Sequence, residues 1–220
     1  MTNVITLNDV TGPHQKQAVL QTGAALETAH AALIMLHGRG AGPEDILTLV
    51  PELVQEGFAF LAPRAVHNTW YPNSFLAPIP SNEPWLTSAL SVITSLLAQV
   101  QAAGIPKERT MLLGFSQGAC LSLEYLARNA QRYGGIAGLS GGLIGPDGTP
   151  RDYAGSLAAT PVFLGCSDID FHIPKERVLE SAEILQRLEG TVTARLYPGM
   201  GHTINQDEID FVRAMMTNIV

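Results

Sequence analysis

The chain has 220 residues, 46% of them hydrophobic and 15% charged, and a formal charge of −7. That length and balance suit one folded domain with a sizeable core, and they exclude a disordered segment. The negative charge argues against a nucleic-acid partner, no apolar run approaches the roughly 20 residues of a bilayer span, and the opening M-T-N-V-I-T-L-N-D-V lacks a signal-peptide pattern.

Two short extended pieces are expected first, at residues 4–7 and 18–21, separated by T-G-P-H. The wholly apolar run A-A-L-I-M-L, residues 31–36, reads as a strand covered on both faces and ends at H-G-R-G. A helix is expected over 44–55 and a strand over 58–61. Residues 62–82 read as a long loop that carries Trp70, Tyr71 and Phe75; a loop of that length in a compact domain is usually functional. A helix over 84–102 stops at Gly104, with Pro106 beyond. The apolar R-T-M-L-L leads as a strand into G-F-S-Q-G, and a helix follows to about residue 129. A strand at 135–139, an irregular glycine-rich stretch at 140–150 and a strand at 161–165 come next. A helix over 175–188, a strand over 191–197 and a last helix from about residue 206 complete the order. Strands alternating with helices predict a mostly parallel α/β sheet with helices on both faces, in a single domain.

In such a sheet the ligand site lies beyond the carboxyl ends of the strands. The residues placed there are His37-Gly38-Arg39-Gly40, then Ser116, then Asp168 and Asp170, then Gly199-Met200-Gly201-His202. Serine, aspartate and histidine in that order match the triad order of α/β-hydrolases. A serine hydroxyl needs a neighbouring base to attack a carbonyl, histidine supplies one near neutral pH, and a carboxylate fixes the imidazole tautomer. The glycines around Ser116 permit a tight strand-to-helix turn. The backbone N–H groups of Arg39 and Gln117 are the candidate donors to an oxyanion. Spacing leaves the acid open: Asp168 makes a G-x-x-D turn from Gly165, and Asp170 stands four residues before Pro174.

Other residues carry two readings each. His37 is either a second base or a residue that holds its turn by hydrogen bonds. His172 is a structural or rim residue, or a partner of Asp168 and Asp170 in a metal site, although no clustered ligand pattern supports a metal. His14, His30 and His67 are expected at the surface. Trp70, Tyr71 and Phe75 either line an acyl or alcohol pocket, bounded by residues 65–82 and 140–150, or form a small satellite core. The Arg39 side chain either meets an acidic substrate group or points to solvent. Cys120 and Cys166 form no metal spacing and are too few for a disulfide framework, so both are expected as reduced core residues in a cytoplasmic protein.

The motifs L-H-G-R-G, A-G-I-P-K-E-R, G-F-S-Q-G-A-C-L-S-L, S-D-I-D-F-H-I-P and Y-P-G-M-G-H together resemble the phospholipase/carboxylesterase family of α/β-hydrolases, which contains the acyl-protein thioesterases. The resemblance spans residues 35–202. It implies one α/β-hydrolase domain without a large lid, no cofactor, and hydrolysis of carboxylic esters or thioesters. S-D-I-D-F-H-I-P aligns without a gap on the family's G-D-x-D-P-x-V-P, whose second aspartate is catalytic, and so implies Asp170 as the acid. Arg39 stands where thioesterase relatives carry leucine, and the loop H-N-T-W-Y-P-N-S-F-L-A-P has no family counterpart. The expected activity is a carboxylesterase acting on small soluble, short-chain esters through an acyl-enzyme on Ser116, with an acyl-protein thioesterase or lysophospholipase as the alternative. A non-catalytic binding protein on the same fold is the reading from another class. The expected partner is a small-molecule ester, and a homodimer is left open.

Overall fold

The structure, a computed structural model, describes residues 3–53 and 55–219. Among the described residues, eight strands form one sheet: β1 (Asn3–Thr6), β2 (Ala18–Gly23), β3 (Ala31–Leu36), β4 (Phe58–Pro63), β5 (Thr110–Phe115), β6 (Gly135–Leu139), β7 (Pro161–Ser167) and β8 (Thr191–Tyr197). Their spatial order is β1-β2-β4-β3-β5-β6-β7-β8. β2 pairs antiparallel with both β1 and β4, and every pairing from β4 onward to β8 is parallel. The chain leaves β3 for β4 on one side and returns to β5 on the other. That reversal opens a crevice above the adjacent ends of β3 and β5.

Alternation along β3 shows why its residues are all apolar. Ala32, Ile34 and Leu36 join one core layer, and Ala31, Leu33 and Met35 join the other. The first layer is covered by α3 (Trp85–Ala102), α4 (Gln117–Arg128) and α5 (Lys175–Arg187); the second by α1 (Pro43–Leu47), α2 (Val50–Leu53) and α6 (Gln206–Thr217). α3 is apolar and long enough to be compared with a membrane span, yet Leu86, Ala89, Ile93, Leu96 and Val100 are fully buried against the first layer. Here it is a core helix.

The single helix expected over 44–55 is a correction. It is two short helices, α1 and α2, with a turn at Thr48 and Leu49. The Thr48 hydroxyl donates back to the Asp45 carbonyl at 2.6 Å. Pro51 has no N–H to continue the ladder, but it is tolerated in the first turn of α2. Gln55 lies outside the helix, and Val54 is outside the described residues. Two short 3-10 turns, Val66–Asn68 and Ile79–Asn82, interrupt the long loop expected over 62–82, whose first residues extend β4.

Candidate active site

The corner between β5 and α4 is built by close approach. A Cβ on Gly114 would lie 2.2 Å from the Gly118 carbonyl oxygen, and one on Gly118 would lie 2.1 Å from that of Leu36. Only glycines allow α4 to sit so near the strands. Ser116 between them has φ 54° and ψ −118°, a strained setting for a residue with a side chain. Its backbone is held by a bond from its N–H to the Leu139 carbonyl at 2.9 Å. The strain lifts the hydroxyl above the sheet edge, where His202 reaches it.

Ser116 Oγ lies 2.9 Å from His202 Nε2, and His202 Nδ1 lies 2.7 Å from Asp170 Oδ2. Asp170 is nearly buried, and its Oδ1 accepts the backbone N–H groups of His172 at 2.8 Å and Ile173 at 3.1 Å. Burial alone would raise the Asp170 carboxyl, but the bonds from His202, His172 and Ile173 outweigh it and hold the pKa below the usual range. An ionised carboxylate only accepts, so the imidazole carries its proton on Nδ1 and turns an Nε2 lone pair to the serine hydroxyl. Asp168 has a different contact: its Oδ1 accepts the Gly199 N–H at 2.8 Å. The neighbouring Ser167 hydroxyl accepts the Gly201 N–H at 3.1 Å. These two bonds fasten the loop that carries His202 to the loop that carries Asp170.

His37 is fully buried, and both its nitrogens are occupied. Nε2 accepts the Ala65 N–H at 3.1 Å, which leaves Nδ1 to donate to the Gly38 carbonyl at 2.8 Å. It therefore holds its turn. His14, expected at the surface, is a correction: it is buried, it accepts the Val66 N–H at 3.2 Å, and its Nε2 lies 2.9 Å from the Trp70 carbonyl. Its ring also packs against Trp70 and Trp85. Burial lowers the pKa of both histidines, so both are neutral supports. No local signal in T-G-P-H marks His14, because its partners are more than fifty residues away in sequence. His30 and His67 are exposed, as expected.

A cavity of about 460 Å³ opens beside Ser116. Tyr71, Phe75, Phe115, Cys120 and Ile173 give it apolar wall, and Arg39, Gln117, His172 and His202 stand around it. Among the described residues, no carboxylate lines it. Two expectations about its wall need correction. Trp70 does not line it: the indole is fully buried and its Nε1–H donates to the His37 carbonyl at 2.9 Å. Residues 140–150 do not line it either, and His172 and Ile173 of the acid loop take that place. The 140–150 stretch is pulled toward α5, where the buried Arg177 donates to the Leu143 carbonyl at 2.9 Å and pairs with Asp147 at 2.6 Å.

Arg39 is solvent-exposed at the cavity rim, and its side chain is tied to the neighbouring loop. Its guanidinium donates to the Pro72 carbonyl at 2.8 Å, to that of Tyr71 at 2.9 Å and to that of Asn73 at 2.6 Å. Its backbone N–H has no acceptor among the described residues. Gln117 opens α4, where a first-turn N–H has no intrahelical partner. Both candidate oxyanion donors are thus free to receive charge. Cys120 and Cys166 are buried free thiols, and burial pushes both up to about 12.

A family model described as Phospholipase/Carboxylesterase matches residues 17–219. A solved phospholipase/carboxylesterase from Dyadobacter fermentans is 42% identical, covers 95% of this chain and 100% of that one, and superposes with a TM-score of 0.89. An acyl-protein thioesterase 1 of Gibberella zeae is 38% identical over 128 residues, 56% of this chain and 53% of that protein's own length. A probable carboxylesterase SOBER1-like of Arabidopsis thaliana is 25% identical over 205 residues, 86% of this chain and 78% of the relative.

Proposed function

The chain belongs to the phospholipase/carboxylesterase family of α/β-hydrolases, and on that premise we propose that it is a serine carboxylesterase acting on small, short-chain acyl esters through an acyl-enzyme on Ser116. The observation that carries this reading is the unbroken chain of contacts from Ser116 Oγ through His202 to Asp170, at 2.9 and 2.7 Å. As Ser116 Oγ attacks the ester carbonyl, its proton passes to His202 Nε2, and the carbonyl electrons move to an oxyanion facing the N–H groups of Arg39 and Gln117. Asp170 stabilises the imidazolium and does not itself take the proton. His202 then returns the proton to the leaving alcohol, and water repeats the sequence to release the acid. Preorganised N–H donors favour the tetrahedral state over the planar ester, and so they lower the barrier rather than the ground state. The cavity of about 460 Å³ beside Ser116, with apolar wall from Tyr71, Phe75, Phe115, Cys120 and Ile173, supports small acyl groups; a cytoplasmic setting fits the two free thiols.

A thioesterase is the second reading, favoured by the name of the Gibberella zeae relative. The same triad would serve, with the thiolate as leaving group. The test is turnover of p-nitrophenyl acetate beside fluorophosphonate labelling. Ser116→Ala should lose at least about 10³-fold in kcat, the scale of removing a triad member. A wild-type protein that neither labels nor hydrolyses would instead be a binding protein on a hydrolase fold.

A further inference from the structure

The two residues whose backbone N–H groups flank the reacting carbonyl come from different strands, one after β3 and one after β5. β3 and β5 pair in register as far as Leu36 and Gly114, three residues before each donor, and beyond that register Arg39 lies in the loop after β3 while Gln117 opens α4. Their side chains, however, meet on one atom. The Tyr71 carbonyl oxygen accepts Arg39 Nη2 at 2.9 Å and Gln117 Nε2 at 2.8 Å. Gln117 Oε1 in turn accepts the Trp70 N–H at 2.8 Å, so the amide is oriented from both ends. Arg39 extends its grip to Pro72 and Asn73, and the Gly40 N–H donates to the Asn68 carbonyl at 2.8 Å. Residues 68–73 are themselves anchored from below. Trp70 is sealed in the core by its bond to His37, and its own carbonyl meets His14.

We propose that Arg39 and Gln117 act twice, through the backbone as oxyanion donors and through the side chain as a clamp on Tyr71 that sets the spacing of those donors. The inference rests on the serine-hydrolase reading above. Arg39 is the informative half. Among the described residues it has no carboxylate partner, so its guanidinium is committed to backbone carbonyls rather than to an ion pair. A planar fork can meet several carbonyls at once in a fixed geometry, whereas a leucine there could meet none. Truncating it leaves the donor N–H in place and removes only what holds it. Gln117 is buried, and its side chain spends its hydrogen bonds on residues 69–71 rather than on substrate.

The experiment measures hydrolysis of p-nitrophenyl butyrate and inhibition by a short-chain trifluoromethyl ketone in wild type, Arg39→Ala and Arg39→Lys. The ketone adds to Ser116 Oγ: the C–O bond forms, the serine proton goes to His202, and the carbonyl electrons become an oxyanion in the same place as that of the tetrahedral state. Arg39→Ala should lose about 10- to 100-fold in kcat, short of the roughly 10²–10³-fold lost when an oxyanion donor is removed outright, with KM changed by less than about threefold. Its inhibition constant should rise by the same factor as kcat/KM falls. Added methylguanidinium should restore part of both, and Arg39→Lys should fall between the two, keeping a charge without the fork. Gln117→Glu, which turns a second acceptor toward the Tyr71 carbonyl, should show the same kcat-centred loss. Wild-type kcat and inhibition in a folded Arg39→Ala protein would overturn the clamp while leaving the serine reading intact. A rise confined to KM would also overturn it, since Arg39 would then only hold substrate. Should Arg39→Ala fail to fold, the kcat-centred losses of Arg39→Lys and Gln117→Glu decide, and wild-type kcat in both would overturn the clamp. A wild type that forms no ketone adduct would remove the serine reading and the clamp with it.

Discussion

Asp168 and Asp170, separated only by Ile169 after β7, hold different parts of the opposite loop. Asp170 Oδ2 lies 2.7 Å from His202 Nδ1, and Asp168 Oδ1 accepts the Gly199 N–H at 2.8 Å. One bond reaches an imidazole and the other reaches backbone. Asp170→Asn should therefore permit the wrong imidazole tautomer and lower kcat by about 10⁴-fold, with folding intact. Asp168→Asn keeps an acceptor oxygen for Gly199 and should lower kcat far less, its effect falling on thermal stability. Steady-state kinetics and a melting curve on both purified variants separate these outcomes.

The cavity wall makes a second pair of variants informative. Phe75 lines the cavity, whereas Trp70 is buried behind it. Wild-type kcat/KM should climb by up to about fourfold for each methylene that fits, following about 0.8 kcal/mol per CH₂, to a maximum at or below about eight carbons. Phe75→Ala should move that maximum to longer acyl chains. Trp70→Phe should leave it in place and cost about 1–3 kcal/mol of stability, because the buried His37 carbonyl loses its donor. A chain-length series of p-nitrophenyl esters, with urea unfolding alongside, checks both; a wild-type optimum at palmitoyl would favour the thioesterase reading.

Stability should depend on pH through groups of opposite sense. His14 and His37 have pKa values lowered by burial from 6.5, so as pH falls below 6.5 the unfolded chain takes up protons that the native one refuses, and their contribution is lost. Glu208 is buried beneath Gly165 and is pushed from 4.5 up to about 7, so its contribution is present below 4.5 and is lost as pH rises toward 7. Relative to wild type, His14→Gln should gain stability as pH falls from 8 to 5, and Glu208→Gln should gain it as pH rises over the same interval. Urea midpoints at several pH values give both slopes, and parallel curves for all three proteins would contradict the assignment. Glu208→Gln keeps an oxygen for the Asn205 N–H that opens α6, so the comparison is not confounded by loss of the cap.

What was legible in the sequence follows from range. The apolar run 31–36 announces a strand buried on both faces because each face has its own core layer, and G-F-S-Q-G announces its turn because the constraint on Gly114 and Gly118 is local. The order of Ser116, Asp170 and His202 is legible for the same reason, since each closes a strand of a parallel sheet. The break at Thr48 escaped because apolar periodicity continues through it, although Pro51 was a visible warning. Trp70 and Tyr71 are neighbours in a polar loop, and only the long-range bonds to His37 and Arg39 decide which faces the cavity side. The 140–150 stretch is turned away from the site by Arg177, thirty residues and more downstream, and no feature of the stretch itself announces that contact.

The proposed covalent step is open to direct observation. Wild-type protein mixed with p-nitrophenyl acetate and acid-quenched within the first turnovers should gain the mass of one acetyl group, and peptide mapping should place it on Ser116. Ser116→Ala should gain none, and His202→Ala should acylate too slowly to accumulate the adduct, since the two side chains act as one unit. An acetyl group on any other residue, or rapid hydrolysis that persists in Ser116→Ala, would contradict the account.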